Sequence, residues 1–372
     1  MSNVGESDLI KLLFSENTGV IIQAKDESVE EVLNSFEIPF YKIGEVTNTP
    51  ELKIKNNSVE LGLNISSLRD TWFKTSYLLD EKQTAKGLAK ERFDNYKNQP
   101  LQFSFPEQYQ NKLPLISSKG PRPKAAILRE KGSNSEREMA NAMYLAGFDV
   151  KDVHMTDLIS GRETLEDISF VGAVGGFSNS DVLGSAKGWA GAFKYNEKAK
   201  NALRSFFNRS DTLSVGICNG CQLFMELELI NPEHKEHGKM DFNDSRKHES
   251  GFTSVKIQEN NSIMLSSLAG AKLGVWISHG EGKFRLPRSI ESYEIVGTYG
   301  YTAYRSNPNG SDYNTAMLCD KSGRHLVTMP HIERSIFPWN WAHYPKEKID
   351  EVSPWLEAFI NARKWVEKHP KK

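Results

Sequence analysis

The chain has 372 residues, enough for two or three domains rather than one core. Its 47 Lys and Arg nearly cancel its 48 Asp and Glu, so no global field points to nucleic acid or a membrane surface. No apolar run reaches the ~18 residues a membrane-spanning helix needs, the first residues lack the basic start and apolar core of a signal peptide, and three cysteines (Cys218, Cys221, Cys319) are too few for a disulfide framework and fit a reducing cytoplasm.

Residues 19–23 (GVIIQ) read as a buried strand. Ser28 and Glu31 have the spacing of a capping box, and Val29, Val32, Leu33 and Phe36 then fall on one helical face. Residues 40–43 and 51–55 read as strands, the second alternating, and a long polar-faced helix is expected from about Ser67 to Asn95. Residues 1–97 therefore suggest an α+β half-domain. Residues 98–123 carry five prolines among scattered polar residues and read as a linker.

From residue 124 to 372 the rhythm changes to strand–helix pairs. Residues 125–128 (AAIL) form the first strand. Ser133 and Glu136 repeat the capping-box spacing, Met139, Ala142, Met143 and Ala146 share one helical face, and Gly147 is a natural stop. Residues 171–174 read as a short strand running into Gly175-Gly176, and residues 213–217 (LSVGI) as a strand that meets a helix near Asn219. Residues 326–329 form a late strand and residues 354–366 a closing helix. The alternation implies an α/β fold around a mostly parallel, doubly wound sheet.

The sharpest chemical feature is Gly216-Ile217-Cys218-Asn219-Gly220, a G-x-nucleophile-x-G pattern at a strand-to-helix turn. Such an elbow strains the central residue and presents its side chain at the strand's carboxyl end, over a helix N-terminus that favours a thiolate. The flanking glycines remove side chains that would clash in so tight a turn. The plainer alternative is a buried cysteine in a glycine-rich turn. A nucleophilic thiol needs a base, and the base needs a carboxylate to fix its tautomer. Met329-Pro330-His331-Ile332-Glu333-Arg334 supplies both, two residues apart; in an extended segment they would share one side. Taken alone, these two would read as a surface His and Glu. Gly176, in Gly175-Gly176-Phe177-Ser178, can turn its N–H inward at little steric cost, and the N–H of Asn219 is the second candidate donor of an oxyanion hole.

Ser278-His279-Gly280-Glu281-Gly282 is a polar, glycine-rich loop suited to lining a pocket for a charged amino acid, with His279 a binding or structural residue rather than a second base. Cys221 is expected inside the elbow helix's packing and Cys319 in a core strand. The other histidines show no metal-ligand spacing, so no metal is expected, and Phe337-Pro338-Trp339-Asn340-Trp341 reads as packing or an interface. The G-x-G-x-x-G spacing and the phosphate loop G-x-x-x-x-G-K-[ST] are both absent.

In order, VGGFS, GICNGCQ, ISHGEG and PHIER resemble the class I, triad-type glutamine amidotransferases. Asp181-Val182-Leu183-Gly184, the Asn219-Gly220-Cys221-Gln222 continuation and Ser353-Pro354-Trp355 make the likeness closest to the C-terminal portion of the large, single-chain phosphoribosylformylglycinamidine synthase family. The resemblance covers about residues 124–366 with specific motifs. By general pattern, residues 1–97 resemble the end of that family's second aminoimidazole-ribonucleotide-synthetase-like half. It implies a flavodoxin-like fold in which Cys218 forms a glutamyl thioester, His331 acts as base and acid, and Glu333 orients it. Gly176 and Asn219 would form the oxyanion hole, and Gln222 with Ser278, His279, Gly280 and Glu281 would hold glutamine.

The same resemblance implies that ammonia passes to synthetase domains outside this chain, where ATP and Mg2+ activate formylglycinamide ribonucleotide for amination in purine biosynthesis. No cofactor is implied for this chain itself, which reads as a C-terminal portion. Two positions depart from the family pattern: Asn179-Ser180 replaces the usual Tyr-Gly, implying a different pocket rim, and Ile332 replaces a proline. The alternatives are another α/β cysteine hydrolase, of γ-glutamyl hydrolase or DJ-1-like type, and a non-catalytic docking module.

Overall fold

A computed structural model describes residues 4–95, 102–115, 121–304 and 306–371. The chain divides into two compact units, Met1–Lys82 and Gln83–Lys372. The first contains helices α1 (Leu9–Phe14) and α2 (Ser28–Ser35), the hairpin of β1 (Glu51–Asn56) and β2 (Val59–Asn64), and most of α3 (Ile65–Gln83). The strand expected at residues 19–23 is not formed. Its apolar side chains are exposed, Val20 at 85% and Ile21 at 82%, and no ladder partner lies beside it among the described residues. Residues 40–43 are likewise irregular. Both segments have strand composition without a second strand to satisfy their backbone groups. The capping box at Ser28 is also absent: Ser28 begins the helix and donates from both N–H and hydroxyl to Asp26. The single long helix expected to Asn95 is two, α3 and α4 (Leu88–Asn95), separated where Gly87 takes φ +91°.

The second unit holds Cys218, His331 and Glu333. Its strands are β3 (Lys124–Arg129), β4 (Asp149–His154), β5 (Phe170–Ala173), β6 (Leu213–Ile217), β7 (Lys239–Asp241), β8 (Glu249–Ile257), β9 (Lys272–His279), β10 (Lys283–Arg285), β11 (Glu294–Tyr299), β12 (Thr315–Cys319) and β13 (His325–Thr328). Among the described residues, nine of these form one sheet in the order β4-β3-β5-β6-β13-β12-β11-β8-β9. The run from β4 to β13 is parallel, as the strand–helix alternation implies. From β13 onward the sheet continues antiparallel, an extension that strand–helix counting does not reveal. The helices are α5 (Glu136–Ala146), α6 (Met155–Ser160), α7 (Lys187–Tyr195), α8 (Glu197–Asn208), α9 (Asn219–Glu226) and α10 (Trp355–Lys368). Helix α5 packs on β3 and β4 and against α10, while α9 packs on β5, β6 and β13 and against α7.

Local chemistry explains these elements. Met139, Ala142, Met143 and Ala146 are all buried on α5, and Gly147 closes that helix in the left-handed region. Ser133 does not cap it, because its hydroxyl donates to the Glu130 carbonyl instead. Of the linker, residues 98–101 and 116–120 lie outside the described residues. Residues 102–115 have no helix and only one bridging position, Ser104, which exchanges both backbone hydrogen bonds with Lys272 of β9 at 2.9 and 2.8 Å. Phe103 and Phe105 pack edge-on or tilted against Trp341, with ring centroids 5.2 and 5.8 Å away. The segment is therefore stitched to the second unit by backbone and aromatic contact.

Helix α9 sits so close to β5 that a Cβ on Gly220 would fall 2.0 Å from the Ala173 carbonyl oxygen. Gly220→Ala must push α9 off the sheet, and its expected cost is about 1–3 kcal/mol or more. Urea denaturation of the two proteins measures this; an unchanged midpoint contradicts the packing described.

Candidate active site

The carboxyl edge of the parallel strands gathers the expected residues. Cys218 follows β6, Gly175 and Gly176 follow β5, and His331 follows β13. Cys218 has φ +53° and ψ −105°, a left-handed conformation rare for a side-chain-bearing residue. Its N–H donates to Thr328 of β13 at 2.8 Å and its carbonyl accepts from Gln222 N–H at 3.0 Å, so ladder and helix hold the turn from both sides. A Cβ on Gly216 would lie 2.6 Å from the Gly220 carbonyl oxygen, which is why both flanking positions require glycine. The thiol is 5% exposed and contacts the Ser278 carbonyl at 3.5 Å.

His331 is buried, and its N–H donates to Trp276 of β9 at 2.8 Å. Its Nδ1 lies 2.6 Å from Glu333 Oε1. The two are not joined by an extended segment. Glu333 lies in a single 3-10 turn, Ile332–Arg334, and the turn rather than strand alternation brings the carboxylate back to the ring. Burial works against a charged ring here, but the Glu333 carboxylate and Cys218 on its other side outweigh it and raise the His331 pKa to about 10. A Cβ on Gly175 would lie 2.8 Å from His331 Cε1 and 3.4 Å from Cys218 Cβ, so that glycine keeps the space between imidazole and thiol clear.

Gly176 has φ +119°, and a Cβ there would strike the Ser133 and Asn134 backbone at 2.5–2.6 Å. The bridge between Ser133 and Gly176 is made by Asn134 N–H to Gly175 O (2.8 Å) and Phe177 N–H to Gly132 O (3.0 Å). It leaves the Gly176 N–H outside the pair. Among the described residues neither that N–H nor the Asn219 N–H has a protein acceptor. Ser135, which the sequence reading did not single out, steadies this strip by accepting from Gly175 N–H at 3.2 Å. The next residues, Asn179, Ser180 and Asp181, all have positive φ (53°, 58° and 50°), so Ser180 adopts a glycine-like conformation.

The expected glutamine contacts divide in two. Gln222 is engaged at both ends of its amide: Oε1 accepts from Asn219 Nδ2 at 3.0 Å and Nε2 donates to the Glu281 carbonyl at 2.7 Å. His279 is buried with the ring turned into the protein. Burial first, then the like charges of His331 and His248, hold its pKa down at about 3. Ser278 Oγ pairs with His248 Nε2 at 3.0 Å. Gly280 and Glu281 are partly exposed, and Glu281 Oε2 accepts from Ser185 N–H at 3.1 Å. Asp181 stands close enough to Glu281 to feel its charge, and burial mainly raises its pKa. Cys221 and Cys319 are buried in the core, where desolvation pushes both thiols up. A cavity of about 490 Å³ adjoins His331 and Glu333 and is lined in part by Trp276, Phe337 and Trp339, so two rings of the aromatic run face open space.

A sequence model of the CobB/CobQ-like glutamine amidotransferase domain matches residues 122–366. The chain belongs to that family. It is 37% identical to a probable phosphoribosylformylglycinamidine synthase, chloroplastic/mitochondrial, of Arabidopsis thaliana, over 96% of this chain and 27% of the relative. It is 36% identical to the phosphoribosylformylglycinamidine synthase of Homo sapiens, over 96% of this chain and 29% of that one. The chain thus spans less than a third of the length of these curated relatives. The fold is similar to the PurLQS structure from Thermotoga maritima, with a TM-score of 0.51 and 24% identity over 66% of this chain and 99% of that one. Among the described residues of this amidotransferase, no helix is long and apolar enough to cross a membrane.

The raised pKa of His331 has a defined sign. Unfolded, the ring titrates at ~6.5. Its contribution to stability is therefore fully present below about pH 6.5 and is lost as pH rises through about 10. The His331 ring should remain protonated at neutral pH by nitrogen chemical shift, and its pKa should fall in Glu333→Gln. A ring already neutral near pH 8 in the wild type contradicts the assignment.

Proposed function

We propose that this chain hydrolyses glutamine through a Cys218 thioester and supplies the ammonia to the synthetase portion of a phosphoribosylformylglycinamidine synthase. The observation that carries the reading is the elbow thiol facing a buried His331 whose far nitrogen lies 2.6 Å from Glu333. Cys218 Sγ attacks the carbonyl carbon of the glutamine side-chain amide while its proton resides on His331. The negative oxygen that forms is stabilised by the N–H groups of Gly176 and Asn219, which lack protein acceptors among the described residues. The imidazolium gives its proton to the departing nitrogen, the C–N bond breaks, and ammonia leaves a glutamyl thioester. Water, deprotonated by His331, then cleaves the thioester to glutamate and restores the thiol.

Recognition of the substrate's α-amino end falls to Glu281, with Asp181 beside it, because an ammonium group calls for a carboxylate at the rim. Gln222 and His279 act through the loop they hold rather than on glutamine itself, since their polar groups are turned to the protein. Residues 1–97 are assigned to the end of a synthetase-like half. Among the described residues no set of three His, Cys, Asp or Glu is arranged to hold a metal ion. ATP and Mg2+, and formylglycinamide ribonucleotide as the acceptor, are assigned to the remaining synthetase portion on the strength of the family resemblance alone. A cytoplasmic site of action fits the three unpaired thiols.

Cys218→Ala should abolish glutamine-dependent amination in the complete enzyme while ammonia-dependent amination survives. Residual glutamine-dependent activity near wild type rules out Cys218 as the nucleophile. A glutamine-like electrophile at low concentration should modify Cys218 far faster than Cys221 or Cys319, as read by mass spectrometry of the labelled peptides. Equal labelling of the three is the opposing result.

A further inference from the structure

Asn243 lies in the turn before β8, fully buried, and none of the chemistry above uses it. Its side-chain amide is saturated. Oδ1 accepts from Gly282 N–H at 3.0 Å and faces His279 Nδ1 at 3.1 Å. Nδ2 donates to the His279 carbonyl at 2.7 Å and to the Lys247 carbonyl at 3.0 Å. The Asn243 backbone N–H adds a bond to the Gly280 carbonyl at 2.9 Å. The Gly282 bond fixes which amide atom is oxygen, and this in turn fixes the His279 tautomer: Nδ1 carries the hydrogen, on a ring that burial keeps neutral. His279 Nε2 is buried without a partner among the described residues. The ring is thus held from its Nδ1 side only. Gly282 lies so close to it that a Cβ there would fall 2.4 Å from Nδ1.

Both ends of the loop are therefore tied to one side chain, with Gly280 and Glu281 between them. Glu281 then has fixed partners: its carbonyl accepts from Gln222 on the elbow helix and its carboxylate from Ser185. We propose that Asn243 is a positioning residue for glutamine recognition, setting the shape of residues 279–282 so that Glu281 meets the substrate's α-amino end. This rests on the glutaminase reading above. It gives His279 the role of a strut that transmits Asn243 to the loop. Cys218 and His331 are anchored separately, to β13 and β9, and Glu333 pairs with His331. Loss of Asn243 should consequently weaken binding more than bond-making.

The test measures alkylation of Cys218 in the full chain by a glutamine-like chloroketone, which separates half-saturation from maximal rate, and by iodoacetamide, which needs no recognition loop. In Asn243→Ala the half-saturating chloroketone concentration should rise about ten- to a hundredfold, with the maximal rate and the iodoacetamide rate changed by no more than about threefold. An unchanged half-saturating concentration overturns the proposal, as does a fall of more than about tenfold in both the maximal rate and the iodoacetamide rate, which would make Asn243 scaffold for the nucleophile. If Asn243→Ala is unfolded by thermal melting, Asn243→Asp decides. Its charged form sets an oxygen against the His279 and Lys247 carbonyls, and its protonated form again donates to one of them. Its binding deficit relative to wild type at the same pH should shrink severalfold from about pH 8 to about pH 5.5. A deficit constant across that range overturns the proposal. If wild-type Cys218 itself shows no saturation with the chloroketone, the glutaminase reading fails and this inference with it; saturation in the wild type with an unaltered variant defeats this inference alone.

Discussion

The conformation of one residue organises the site. At φ +53° and ψ −105°, Cys218 sits where a side chain costs of order 1–3 kcal/mol. It stays there because β13 takes its N–H, α9 takes its carbonyl, and Gly216 and Gly220 let helix and strand close to backbone contact. Relaxing the turn would lose the ladder bond to Thr328 and lift α9 from β5. The strain aims the sulfur out of the sheet edge, into the gap that Gly175 leaves open in front of His331.

Around that point the two halves of the sheet divide the work. The parallel strands supply Cys218, the glycine strip and the segment bearing His331. The antiparallel extension supplies the wall opposite: β9 fixes His331 through the Trp276 carbonyl, offers the Ser278 carbonyl to the thiol, and leads into the loop held by Asn243. The outer side of that wall is covered in turn. Ser104 bridges to Lys272, Phe103 and Phe105 pack on Trp341, and Tyr109 and Tyr344 both donate to Asp350. Residues 102–115 of the second unit thus also brace the strand that holds His331.

Much of this was legible in the sequence where local rules decide. The α5 stripe, the Gly147 stop, strand β6 and the G-x-C-x-G elbow depend on neighbours within a few residues, and the structure has them. What depended on distant partners was not legible. Residues 19–23 have strand composition, but a strand also needs a ladder. The contact of His331 with Glu333 was expected, while its route is a 3-10 turn with Ile332 buried instead of an extended segment. Ser135 and Asn243 carried no motif, because their importance lies in which backbone groups the fold brings to them. The inward turn of Gln222 and His279 was hidden for the same reason: residue type shows that a side chain can bind glutamine, not which of its atoms the protein already occupies.

In the proposed reaction, Cys218 and His331 must meet without obstruction, and a residue without a side chain keeps the space between them open. Gly175→Ala tests it most directly, since the added methyl would meet His331 Cε1 at 2.8 Å and Cys218 Cβ at 3.4 Å without touching the outer loop. The measurement is glutamate formation per enzyme, with the synthetase portion supplied and the fold checked by thermal melting. The variant should fold, and its turnover should fall by about a hundredfold or more, because a displacement of about an ångström between thiol and imidazole suffices for such a loss. A folded Gly175→Ala protein that turns over glutamine within about twofold of wild type would contradict this requirement.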